Sequence, residues 1–214
     1  MYNASINNFA AASKYGYLSI KEQNNDYLYY VNNLAAVLLR NKKPKEALSL
    51  LQSTNNLSKF SPNIYNKIGH VAFMVFALID CDKTKQAENH AFVFQAAFKK
   101  DIFEYRWHLF FTAYSKAMLL NKNYNQLIKT FNQLKLLDKD EEYRKRANYT
   151  PSLPWMYYLA KYKSGNCTIS ELKNELVALN LFNKEPKGLN FNHDLNELSN
   201  LVLQNEWKRV ELNL

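Results

Sequence analysis

Glycine and proline are scarce in this chain of 214 residues, four and five in all, and cysteine occurs twice. So few turn formers exclude a sheet-rich fold, whose many tight turns need both residues, and leave long helices as the alternative. Cys81 and Cys167 are too few and too far apart to staple a fold of this size, which suits a reduced, cytoplasmic setting. No apolar stretch approaches the roughly 20 residues of a membrane span. The longest, Val71 to Ile79, stops at Asp80. The first twenty residues carry only Lys14 and no long apolar run, so no signal peptide is read there. A Gly-rich phosphate loop is also missing, as is any recognised metal or catalytic spacing.

What the chain has is apolar content of 47%, enough for a sizeable core, an unusual load of Tyr and Phe, and a formal charge of +9. The basic excess is spread along the sequence, which makes it first a solubility feature and second a binding surface. Above all it has a period. Written as residues 21–60, 61–100 and 101–140, the sequence aligns three times without a gap, with Leu34, Met74 and Tyr114 in one column. Leu38, Leu78 and Met118 share another, and Ala47, Ala87 and Leu127 a third. A fixed period in this range signals stacked supersecondary units, each too small to bury its apolar face alone.

Each unit reads as a helical hairpin. In the first, Tyr27, Tyr30, Val31, Leu34, Val37 and Leu38 recur at three and four, and Pro44 ends that helix while suiting the first turn of the next. Ala47, Leu48 and Leu51 face inward before Asn55-Asn56 closes the second helix. The second unit opens at Ser61-Pro62, read as N-cap and first helical residue, and its first helix is apolar nearly all round, as expected of a helix covered on both sides. Thr84 is expected to cap the returning helix. Asp101 and Glu104 have capping-box spacing, and Trp107, Phe110, Phe111, Tyr114 and Met118 carry the stripe of the third unit. Before the array, residues 4–15 form a half unit with Gly16 as its C-cap. Its missing partner would precede Met1, implying a piece of a longer protein or a natural cap. From Asp138 to Arg146 charge replaces the pattern, and a hinge is expected there. A degenerate fourth pair follows, with Trp155, Tyr158 and Leu159, the breaker Gly165 and a capping box at Thr168 and Glu171, and a last helix from about Asp194 to Val210 caps the array. The organisation is thus 1–20, 21–140 and 141–214 within one continuous domain.

The three units resemble tetratricopeptide repeats, through Val31, Leu34, Ala35, Leu38, Ala47 and Leu51, through Val71, Met74, Val75, Leu78, Ala87 and Ala91, and through Phe111, Tyr114, Ser115, Met118, Leu127 and Phe131. The period departs from the family's 34, and Val75 fills a column that is small in the family, so HEAT-type repeats stay open. The resemblance implies an all-α, right-handed α-solenoid of antiparallel hairpins that binds peptide or protein segments along a concave face lined by first helices. By register that face would carry Tyr29, Asn32, Arg40, Phe76, Leu109, Thr112 and Lys116, with Tyr29 and Phe76 as aromatic platforms. Ala36, Ala72 and Phe76 replace what a clamp for acidic C-termini requires.

Other chemistry is thin. Glu104 and His108 share a helix face, but two ligands fall short of the three or four that zinc needs, and His70, His90 and His193 add no motif. No cofactor or metal is expected, nor an enzyme. The turns bring Lys42, Lys43, Lys45, Lys83, Lys85 and Lys122 toward one edge, a surface for an acidic partner or nucleic-acid backbone, diluted by Glu46, Asp80 and Asp82. The leading expectation is a non-catalytic scaffold or receptor module for a protein or peptide segment. The alternative is the sensor or dimerisation part of a larger nucleic-acid-associated regulator.

Overall fold

The computed structural model describes residues 8–20, 27–98, 103, 106–146 and 153–178, and among these every regular element is a helix. The chain forms two compact units, Met1–Ala117 and Met118–Leu214. None of the described helices is long and apolar enough to cross a membrane.

In the first unit, α1 (Phe9–Ser19) packs on α2 (Tyr27–Arg40), which forms a hairpin with α3 (Pro44–Ser53). A short α4 (Asn55–Phe60) leads into α5 (Ile64–Asp80), which pairs with α6 (Thr84–Ala96). Both α2 and α3 lie against α5, so the second hairpin is seated on the first. That seating explains why α5 is buried from Ile68 to Ile79 without interruption. Helix α7 (Trp107–Leu120) begins in this unit. Its rings meet Phe94 of α6 and Phe98 just beyond that helix, with Phe98 stacked on Phe110 at 5.3 Å and edge-on to Phe111 at 5.0 Å, while Phe94 meets Phe110 at 5.1 Å. Such pairs contribute about 0.5–1.5 kcal/mol each beyond the area they bury.

The second unit contains α8 (Tyr124–Leu134), α9 (Leu136–Arg146), α10 (Leu153–Lys163) and α11 (Ile169–Ala178). Helix α10 packs on α8, with Tyr157 stacked on Phe131 at 5.3 Å and its hydroxyl donating to Asn132 Oδ1 at 3.0 Å. The expected capping box of α11 is formed: Glu171 accepts from the Thr168 N–H and hydroxyl, and Thr168 Oγ1 accepts from the Glu171 N–H at 3.2 Å. Those bonds to Thr168, the backbone one foremost, hold the Glu171 carboxyl below its ordinary range.

The sequence period reappears in the backbone. Lys42, Asp82 and Lys122 all occupy the left-handed region, at φ +55°, +60° and +60°. After each, the N–H of Lys43, Lys83 and Asn123 donates five residues back to Leu38, Leu78 and Met118, at 2.9, 2.8 and 2.8 Å. This is the Schellman helix stop, repeated at one register. Gly165, at φ +76°, ends α10 the same way, with Asn166 N–H donating to Lys161 O at 2.8 Å.

Several local expectations are corrected. Gly16 does not cap α1, which runs through it to Ser19; a Cβ there would stand 2.8 Å from Leu34 Cδ1, so the glycine serves close helix packing. Ser61-Pro62 precedes the start of α5, where Asn63 is the N-cap and its Oδ1 accepts from Asn66 N at 3.2 Å; Ser61 accepts from Asn63 N instead. Lys83, not Thr84, is the N-cap of α6. Asn55 and Asn56 lie inside α4 rather than ending the hairpin, and the stretch from Asp138 to Arg146 is helical rather than a hinge. The Asp101–Glu104 pair, the C-terminal helix and His193 lie outside the described residues.

Candidate functional site

The residues expected to line an open groove are largely interior. Asn32, Phe76 and Thr112 are fully enclosed, Leu109 and Lys116 are buried, and Tyr29 and Arg40 are half-buried. For Phe76 the physical reason is the apolarity of α5, which is buried without interruption from Ile68 to Ile79. Two of the expected residues do meet: the Lys116 ammonium lies 5.8 Å from the centre of the Phe76 ring and 3.9 Å from Asp80 Oδ1. Tyr29 packs edge-on against Tyr30 at 5.6 Å.

A second group assembles around Gly69, and only Asn32 of it was expected. Asn32 Nδ2 donates to the Asn66 backbone carbonyl at 2.8 Å, tying α2 to α5 and fixing which way the Asn32 amide points. Its Oδ1 accepts no hydrogen bond, nor does Asn66 Oδ1, although Asn32 is 0% and Asn66 4% exposed. An acceptor left so costs about 1–3 kcal/mol. Arg106, just ahead of α7, lays its guanidinium 4.0 Å over the Tyr65 ring, with Nε buried and making no hydrogen bond. The Cβ missing from Gly69 would sit 2.9 Å from Arg106 Nη1 and 3.2 Å from Asn32 Nδ2, so guanidinium and amide converge on one point of α5. A shallow groove of about 570 Å³, lined by Pro62, Asn63, Ile64 and Tyr65, opens beside the Tyr65 ring. No sequence pattern marked this group, since the column of the forty-residue frame that holds Asn66 and Arg106 holds Asp26 in the first unit and repeats no one chemistry.

The lysine edge is exposed at every position. Within the first unit, Lys43 pairs with Glu46 at 2.9 Å and Lys85 with Glu88 at 3.3 Å, both one helical turn away, and the Tyr17 hydroxyl also reaches Glu46 at 3.3 Å. Burial raises the Cys81 thiol above its ordinary range, with the charges of Lys83 and Lys45 pulling the other way and those of Asp80 and Asp82 adding to the rise. Lys122 belongs to the second unit. Both cysteines are free thiols, half-buried.

Two of the histidines, His70 and His108, are buried. His70 is fully buried on α5, and burial first, then the charge of His90, drives its pKa down to about 4 against an opposing Leu51 backbone contact. His108 is buried with its ring 5.4 Å from Trp107. Among the described residues no three His, Cys, Asp or Glu side chains gather as metal ligands. No protein-family model, curated protein or solved structure matches this chain.

Proposed function

We propose that this chain is a non-catalytic interaction module, a short right-handed α-solenoid of the tetratricopeptide-like kind that binds a protein or peptide segment on the side formed by its first helices. The observation that carries the reading is the recurrence of one helix stop, the same left-handed turn at Lys42, Asp82 and Lys122, the first two of which close the hairpins α2–α3 and α5–α6. The seating of α2 and α3 against α5 supports it further. Units of this sort bury their apolar faces on each other and leave one face of side-by-side helices for a partner. The test is cross-linking of the full chain to peptides displayed from a random library, followed by mapping of the cross-links. Cross-links concentrated on α2, α5 and the Arg106 region support the reading; cross-links confined to α6 and the turns refute it.

The alternative, a regulator module whose basic edge meets a polyanion, rests on Lys42, Lys45 and Lys83, exposed at or just after the turns that end α2 and α5. Glu46 and Glu88 offset Lys43 and Lys85. If a nucleic acid binds there, affinity falls steeply with salt and with charge reversal at Lys42 and Lys83.

A further inference from the structure

We infer that Asn32, Asn66 and Arg106, gathered around Gly69, form a recognition site for an acidic peptide segment, entered when the Arg106 guanidinium leaves the Tyr65 ring. This rests on the peptide-binding reading above and names its site and ligand class.

The chemistry of the three side chains is unequal and complementary to one kind of ligand. Asn32 and Asn66 each hold a carbonyl oxygen that accepts no hydrogen bond, and both residues are more than nine-tenths buried. Each therefore calls for an N–H donor. Arg106 contributes a cation with an unused Nε–H, resting on a ring and not paired to a carboxylate among the described residues. It calls for an anion, and carboxylate matches its fork. An extended peptide supplies both at once, main-chain N–H groups for the asparagines and an Asp or Glu carboxylate for the arginine. Phosphate chains and the DNA backbone supply acceptors only and would leave both asparagine oxygens unmet.

Gly69 fits this account. In the middle of α5 glycine weakens the helix, yet any side chain there would occupy the point on which the guanidinium and the Asn32 amide converge. Arg106 is the movable member: it is half-buried, it precedes α7 rather than lying within it, and the groove at Pro62 to Tyr65 adjoins the ring on which it rests. The formal charge of +9 favours approach of an acidic segment.

The test uses the full chain and a fluorescein-labelled hexaglutamate peptide, acetylated and amidated at its ends, with hexaglutamine as control and inorganic polyphosphate as competitor, read by anisotropy. Wild type is expected to prefer hexaglutamate. Arg106→Gln and Asn66→Leu are each expected to weaken it about tenfold or more, with polyphosphate competing poorly. Thermal melting separates recognition from support: Asn66→Leu removes an unmet buried acceptor, so it should melt no lower than wild type while losing the peptide. If the variants bind as wild type does, this site is wrong and the peptide-binding reading stands. If wild type binds neither peptide, the acidic-segment assignment falls, and the random-library cross-linking decides the peptide-binding reading separately. Equal competition by polyphosphate, or a lower melting temperature for Asn66→Leu, overturns the assignment.

Discussion

Replacing His70 by Gln should remove a pH-dependent share of the stability of the first unit. His70 lies in the centre of α5, fully enclosed, and its pKa falls from 6.5 to about 4, chiefly because burial penalises the charged ring. The folded-state value is thus below the unfolded one, and between the two the unfolded chain binds more protons. Stability from this residue is complete above about pH 6.5 and is lost as pH falls toward 4, at a slope approaching 1.4 kcal/mol per pH unit. Between about pH 7 and pH 4 the total is about 3 kcal/mol. Urea denaturation of wild type and His70→Gln at a series of pH values, followed by circular dichroism, isolates the effect, because the carboxylates titrating in that window are common to both. The gap between the two proteins should shrink or reverse by about 3 kcal/mol on acidification. Parallel pH profiles, or a folded-state His70 titration near 6.5 by NMR, would refute the reasoning.

The repeated turns give a second expectation. Lys42→Gly and Lys122→Gly should each stabilise by roughly 0.5–1 kcal/mol, and Gly165→Ala should destabilise by about 1 kcal/mol, in chemical denaturation; nothing lies within 4 Å of a Cβ at Gly165, so that change reports backbone strain alone. Asp82→Gly should gain less, since Asp tolerates this conformation better than Lys. Gly16→Ala drives a methyl against Leu34 and should cost about 1–3 kcal/mol, seen as faster hydrogen exchange in α1. Phe76→Ala should cost about 3–5 kcal/mol, whereas Phe92→Ser, on the exposed side of α6, should stay within about 0.5 kcal/mol; thermal melts distinguish the two.

The helices and their pairing were legible in the sequence because the apolar columns repeat in register, and the backbone repeats with them at Lys42, Asp82 and Lys122. The left-handed turn itself was not legible there, since lysine does not advertise that conformation as the glycine at Gly165 does. Gly16 misled for the converse reason: glycine marks a helix end and a close helix contact alike, and only the approach of Leu34 decides between them. Helix α9 escaped because charge, not periodicity, dominates it from Asp138. The burial of the expected groove residues was not legible, because a register says which column a residue occupies and not how its neighbours cover it. Phe76 and Thr112 are fully buried, while Asn66 near the start of α5 and Arg106 just ahead of α7 carry polar chemistry that periodicity of apolar residues cannot register.

The account turns on whether a peptide engages the first-helix side. An NMR titration of the isotopically labelled full chain with hexaglutamate measures this most directly. The account predicts shifts of the Asn32 and Asn66 side-chain amides and of the Arg106 Nε–H, together with neighbouring residues of α2 and α5. Shifts confined to Lys42, Lys45 and Lys83, or none, would contradict it.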